Sequence, residues 1–152
     1  MDIDSKSQNP NSSGRIMALD LGDKRIGIAV SDLTRSIARP LTVILRKSRR
    51  ADFEKIIRLV GEQKVQLVIV GLPTLPSGEE GSRARWTNDY ANDLAGHVGV
   101  RVQLWDESFS TVDANEILRL QGKDPRRHRD RIDAIAAAVI LQSYLRSQSG
   151  TD

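Results

Sequence analysis

The chain has 152 residues, 39% of them hydrophobic, and a formal charge of only +3, which is material for one core and not for two. It contains no cysteine, so disulfides, thiolate nucleophiles and cysteine-bound zinc or iron–sulfur clusters are excluded. No stretch approaches the roughly 18 uncharged apolar residues of a membrane span, and the N-terminal segment lacks the apolar core of a signal peptide, so a soluble, cytoplasmic protein is expected.

Residues 1–14 hold only Met1 and Ile3 as apolar side chains and are expected to be a disordered tail. The folded domain is expected over 15–147, followed by a flexible C-terminal tail at 148–152. Ile16 to Leu19 predicts a first strand, and Asp20-Leu21-Gly22-Asp23, a group of turn formers, a hairpin turn. Ile26 to Val30 and, after Pro40, Leu41 to Leu45 predict two more strands in an antiparallel meander.

From Ala51 to Val60 the apolar positions Phe53, Ile56, Ile57 and Val60 recur at helical spacing, with Gly61 as the expected stop. Val65 to Val70 is almost wholly apolar and β-branched, as a strand buried on both faces of a central sheet would be, and Gly71-Leu72-Pro73 is read as its end. A loop rich in Gly, Pro and Ser leads to a helix carrying Trp86, Tyr90 and Leu94 on one face, and Val100 to Trp105 predicts a fifth strand. Thr111 is the expected cap of a helix from Val112 to Leu120, with Asp113 in its first turn. The last helix, about Asp130 to Leu145, has the densest apolar stripe. This order predicts an α/β fold: a five-stranded mixed sheet flanked by helices, with strands one, four and five parallel.

Ligands in such sheets gather beyond the carboxyl ends of the parallel strands, where Asp20 and Glu107 are expected, with Asp106 adjacent. Asp133 shares a helical stripe with Ala136, Ala137, Ile140, Leu141 and Tyr144. A carboxylate at the head of a buried face needs a partner or a cation, and Asp130, one turn earlier, is the rival position. Taken singly, Asp20 also reads as a turn residue, Glu107 as a surface acid and Asp133 as a first-turn acid beside the helix dipole. Taken together, three carboxylates suit Mg²⁺ or Mn²⁺, which keep waters and accept phosphate oxygens as further ligands.

Arginines outnumber lysines 17 to 6, and the basic residues fall in two runs: Arg46, Lys47, Arg49 and Arg50, then Lys123, Arg126, Arg127, Arg129 and Arg131. The second precedes Asp133 and suits phosphate contact beside the carboxylates, although a solvated loop has the same composition. Gly71-Leu72-Pro73 with Ser77 and Gly78 is a weak candidate phosphate cradle.

The stretch ALDLGDKRIGIAVSD at Ala18–Asp32 resembles the opening signature of the YqgF family, bacterial Holliday junction resolvase-like proteins also named for pre-16S rRNA processing. The resemblance continues through GLP at 71–73, DE at Asp106 and Glu107, ST at Ser110 and Thr111, and DAIAAAVILQSYL from Asp133 to Leu145. It implies an RNase H-like fold and a metal-dependent nuclease, with Asp20, Glu107 and Asp133 as catalytic and metal-binding acids. Nucleic-acid contacts are then expected from Lys24, Arg25, Gly71, Ser110, Thr111, Lys123, Arg126, Arg127 and Arg129. The family usually has arginine directly after the DE pair, where this chain has Ser108.

The resemblance implies as substrate either pre-16S rRNA, trimmed at its 5′ end in ribosome biogenesis, or a branched DNA junction. A junction with two cleavage positions suits a homodimer, whereas one RNA end needs only a monomer. Two other classes compete. An actin-like phosphotransferase also begins with a strand ending in Asp-x-Gly, but would need a second such domain, and a non-catalytic nucleic-acid-binding module would use the arginine runs alone.

Overall fold

The structure is a computed structural model that describes residues 14–73, 81–107, 112–120, 122 and 132–149. Five strands form one sheet: β1 (Arg15–Leu21), β2 (Arg25–Ser31), β3 (Ala38–Leu45), β4 (Val65–Leu72) and β5 (Arg101–Asp106). Their order is β3-β2-β1-β4-β5. β1, β2 and β3 are joined antiparallel, and β1, β4 and β5 are parallel to one another, as the spacing of turns and helices predicts. Among the described residues four helices accompany them: α1 (Arg49–Glu62), α2 (Ser82–Val98), α3 (Ala114–Leu120) and α4 (Ile132–Gln148). No helix among the described residues is long and apolar enough to cross a membrane.

The strands alternate between two cores because their side chains alternate between two faces. Met17, Leu19, Ile26, Ile28, Val68 and Val70 face α1 and α2 and pack with Phe53, Ile56, Tyr90 and Leu94. Ile16, Ala18, Ala29, Leu67 and Ile69 face the other way, toward α3 and α4. On that second side small residues meet small ones: Ala18, Ala29 and Ala38 on the sheet, and Ala134, Ala137 and Ala138 on α4, all fully buried. Without bulky side chains between them, helix and sheet approach closely.

Several boundaries differ from the sequence expectation. Asp20 is not in the hairpin turn: β1 runs on to Leu21, and Asp20 pairs with Gly27. The turn is held instead by Gly22 N–H donating to the Arg25 carbonyl at 2.8 Å. β3 begins at Ala38 and takes in Pro40. α1 is capped at its start by Ser48, whose hydroxyl accepts from Ala51 N–H, and runs through Gly61 to Glu62. The chain then reverses at Lys64, which has a left-handed φ of 56°. Gly71 and Leu72 belong to β4 and pair with Trp105 and Asp106.

α3 starts at Ala114, and the Asp113 carboxylate accepts the Glu116 N–H at 2.8 Å. Asp113 thus precedes the helix and caps it, whereas Thr111 lies outside the described residues. Gly14, assigned to the tail by composition, is buried and accepts from Arg35 Nε at 3.1 Å. α4 extends past Leu145 to Gln148, and its buried surface is wider than a single stripe. Gln142, also buried, accepts the Ala38 N–H at 2.8 Å and donates to the Ser36 carbonyl at 3.0 Å, tying α4 to the start of β3.

Candidate active site

Two glycines in strands decide where the acidic side chains stand. Gly27 lies opposite Asp20 in the β1–β2 ladder, on the face that α4 covers. A Cβ built on Gly27 would be 1.8 Å from the Asp133 carbonyl oxygen and 3.1 Å from Ala134 N. The first turn of α4 therefore rests directly on the backbone of β2, beside Asp20, and no other residue type leaves room for it. Asp20 and Asp133 are 113 positions apart in sequence and neighbours here because position 27 has no side chain.

Gly71 does the same for Glu107. Its Cβ would meet Ile140 Cδ1 at 2.6 Å and Glu107 Oε2 at 2.9 Å. The Glu107 carboxylate, one residue beyond the end of β5, therefore lies over β4, the strand between β1 and β5. Gly71, expected to cradle phosphate, is a strand residue that makes space for a carboxylate.

The electrostatics match this geometry. The Asp20 pKa is raised above 3.8, first by burial and then by the charge of Asp133, with Arg83 opposing. The Glu107 pKa is raised above 4.5, first by burial, then by Asp20 and Asp106, again with Arg83 opposing. Asp20 is thus coupled to both other acids.

Sequence reasoning missed Arg83. It sits in the first turn of α2, donates to the Leu21 carbonyl through Nη2, pairs with the Asp23 carboxylate at 3.0 Å, and lies 4.7 Å over the Trp86 ring. Its signal in the sequence was an arginine at the start of a helix that follows the carboxyl end of a central parallel strand, where helix N-termini and basic side chains meet ligands.

The donor set is one that a hard divalent cation takes: carboxylate oxygens, partly buried, whose mutual repulsion a cation relieves. Among the described residues no three acidic or histidine side chains already stand together as a closed metal cluster, so the acids are coupled without being drawn onto one point. The residues fit such a cation in chemistry and charge.

Of the other expected contacts, Lys24 and Arg25 are exposed at the β1–β2 turn, the end of the sheet that carries Asp20. Ser110, Thr111, Lys123, Arg126, Arg127 and Arg129 lie outside the described residues, as do Ser108, Asp130 and Arg131.

Comparison with known proteins bears on the same stretch of chain. The family model described as "RuvX: Holliday junction resolvase" matches residues 14–147. The chain belongs to this family. RuvX-family relatives include a protein of Anaeromyxobacter sp. (strain Fw109-5), 45% identical over 131 residues, which span 86% of this chain and 96% of the relative. One from Thermoanaerobacter pseudethanolicus is 41% identical over 135 residues, 88% of this chain and 97% of its own length. Both bear the name "Putative pre-16S rRNA nuclease".

Among solved structures, Thermus thermophilus RuvC in complex with a Holliday junction substrate superposes with a TM-score of 0.58 at 17% identity, covering 91% of this chain and 97% of RuvC. The fowlpox virus resolvase, also solved with junction DNA, gives 0.53 at 13% identity, covering 90% of this chain and 99% of the resolvase. At such identities the likeness is one of fold, and the fold is RNase H-like, as the family resemblance implies.

Proposed function

We propose that the chain is a divalent-metal-dependent nuclease that hydrolyses phosphodiester bonds in the 5′ leader of pre-16S rRNA, with Asp20, Glu107 and Asp133 as the metal-binding carboxylates. The observation that supports this reading is the electrostatic coupling of Asp20 to both Asp133 and Glu107, with the first turn of the last helix resting on the bare backbone at Gly27 and the Glu107 carboxylate lying over Gly71. The names of the relatives supply the polymer.

Each carboxylate sits on a different kind of support. Asp20 is fixed in a strand bonded on both sides, Glu107 follows a strand end, and Asp133 occupies the first turn of a buried helix. A site built on rigid elements keeps its geometry when a polyanion arrives. When bound, Mg²⁺ or Mn²⁺ would lower the pKa of an attacking water and offset charge on the leaving oxygen. Lys24 and Arg25 are placed to contact substrate phosphates beside Asp20, and Ser110, Thr111, Lys123, Arg126, Arg127 and Arg129 are assigned to the same task. The cytoplasm is the compartment in which such a substrate is met.

The family description favours a second reading, resolution of four-way DNA junctions. One experiment separates the two. Purified protein is incubated with Mg²⁺ or Mn²⁺ and either a pre-16S leader RNA or a synthetic junction, beside Asp20→Asn, and its oligomeric state is measured with each substrate. Metal-dependent cleavage of the RNA by a monomer, absent in Asp20→Asn, is expected. Symmetric cutting of the junction by a dimer would establish the second reading instead. Equal cleavage by both proteins, or none with either substrate, would overturn the site.

A further inference from the structure

The basic run at 46–50 has no part in the carboxylate site, and space divides it in a way the sequence does not show. Arg49 is neutralised by Asp89 and Asp93, each at 3.1 Å, and Arg50 by Glu54, one turn along α1 at 3.8 Å. Arg46 shares the Trp86 ring with Arg49 but is held by carbonyl oxygens and not by carboxylates. Its Nη1 donates to the carbonyls of Gly22 at 2.7 Å and Asp23 at 3.1 Å, and its guanidinium lies 4.6 Å over the Trp86 ring, the ring that Arg83 also covers. Its backbone N–H donates to the Lys24 carbonyl at 2.8 Å, joining the β3–α1 junction to the β1–β2 turn.

Carbonyl oxygens orient a guanidinium without neutralising it. Among the described residues Arg46, Lys47 and Lys24 have no carboxylate at ion-pair distance. Three guanidiniums, of Arg46, Arg83 and, at 5.8 Å, Arg49, stand over one indole; Asp89 and Asp93 offset Arg49 and Asp23 offsets Arg83, which leaves Arg46 uncompensated. Such a cluster is stabilised by an anion. The cluster adjoins the carboxylates, since Arg83 holds the carbonyl of Leu21, next to Asp20.

We propose that Lys24, Lys47 and Arg46, the last held over Trp86 by the carbonyls of Gly22 and Asp23, form a seat for the phosphate backbone on the α1 and α2 side of the sheet end. This rests on nucleic acid being the substrate. The seat takes the strand leading away from the bond to be cut. With guanidiniums over its ring, Trp86 orients charge instead of stacking a base, so the seat reads backbone and not sequence.

The test measures binding, with cleavage switched off by EDTA. A fluorescein-labelled RNA duplex is titrated across a salt series by anisotropy, with wild type, Arg46→Gln, Lys47→Gln and, as control, Arg50→Gln. Each of the first two is expected to flatten the slope of log K against log salt by about 0.9 and to weaken binding several-fold at physiological salt, while Arg50→Gln changes neither. Lys47 is exposed, so its variant folds whatever becomes of Arg46→Gln. Wild-type slope and affinity in Lys47→Gln and Arg46→Gln would overturn the seat, as would failure of wild type to bind RNA at all. Normal binding by a wild type that cuts nothing with Mg²⁺ or Mn²⁺ would sink the nuclease reading and leave the seat standing.

Discussion

Asp20 and Gly27 face each other across the β1–β2 ladder, and the backbone of Gly27 is the floor on which Asp133 rests. A methyl group at position 27 meets backbone, which cannot swing aside as a side-chain tip can. Gly27→Ala is therefore expected to cost about 3 kcal/mol or more, at the upper end of overpacking effects. It should also abolish cleavage by lifting Asp133 from Asp20. Thermal unfolding and an activity assay check this, and a Gly27→Ala variant that is both stable and active would contradict the packing described.

Gly71→Ala should behave differently. Its methyl group meets the ends of two side chains, Ile140 Cδ1 and Glu107 Oε2, which can rotate. We expect a loss of about 1 kcal/mol in stability but a large loss of kcat, because the displaced group is the Glu107 carboxylate. Equal proportional effects of the two glycine variants on stability and rate would show that Glu107 does not depend on the space at Gly71.

The contribution of Asp20 to metal-free stability should fall as pH rises. Burial, then Asp133, raise the Asp20 pKa above 3.8 in the folded chain. Between 3.8 and that raised value the native state holds a proton that the unfolded chain has released, so the favourable contribution is complete below 3.8 and lost as pH passes the folded pKa. Asp20→Asn removes this loss. At neutral pH in chelator its Tm is expected to exceed that of wild type. Added Mg²⁺ or Mn²⁺ should then stabilise wild type and leave the variant almost unchanged. A variant melting at or below wild type in chelator would contradict the repulsion.

Arg83 opposes the rise in pKa of both Asp20 and Glu107. Its replacement by Gln lets both pKa values climb further, so the acid limb of the pH–rate profile should move to higher pH and more metal should be needed at a given pH. Arg83→Lys, which keeps the charge, should restore part of the limb. An unmoved limb in Arg83→Gln would confine Arg83 to tethering Leu21 and Asp23.

Much of the architecture was legible in the sequence because periodicity and turn chemistry agree along most of the chain. The five strands, their mixed pairing and the buried last helix all follow from it. What misled was glycine. Sequence alone puts Asp20 in a hairpin turn and the end of a strand at Gly71, since Asp and Gly favour turns, yet both lie within strands, and Gly61, the expected helix stop, lies inside α1. A glycine that ends an element and one that clears room for a neighbour look alike until the neighbour is known. The basic run at 46–50 was opaque for a related reason: Arg46 and Arg49 are chemically identical, and only Asp89 and Asp93, forty or more residues on, distinguish them.

Gln142 gives a prediction away from the chemistry. It satisfies the Ala38 N–H and the Ser36 carbonyl, nine residues and about 13 Å along α4 from Asp133. Gln142→Leu removes both hydrogen bonds and should cost about 2 kcal/mol, seen as a lowered midpoint in urea, with kcat per folded molecule unchanged. A fall in kcat at full folding would mean that the brace also sets the position of Asp133.

The three acids come from β1, from the end of β5 and from α4, the last of the described elements, and α4, with α3, also covers one face of the sheet. A ribosome part-way through this chain therefore carries a sheet with an uncovered wall of alanines and only two of the three acids. If the proposed acids do the cutting, a chain broken off before Asp133 is expected to cut no RNA, and activity has to wait for the last helix to dock on the sheet.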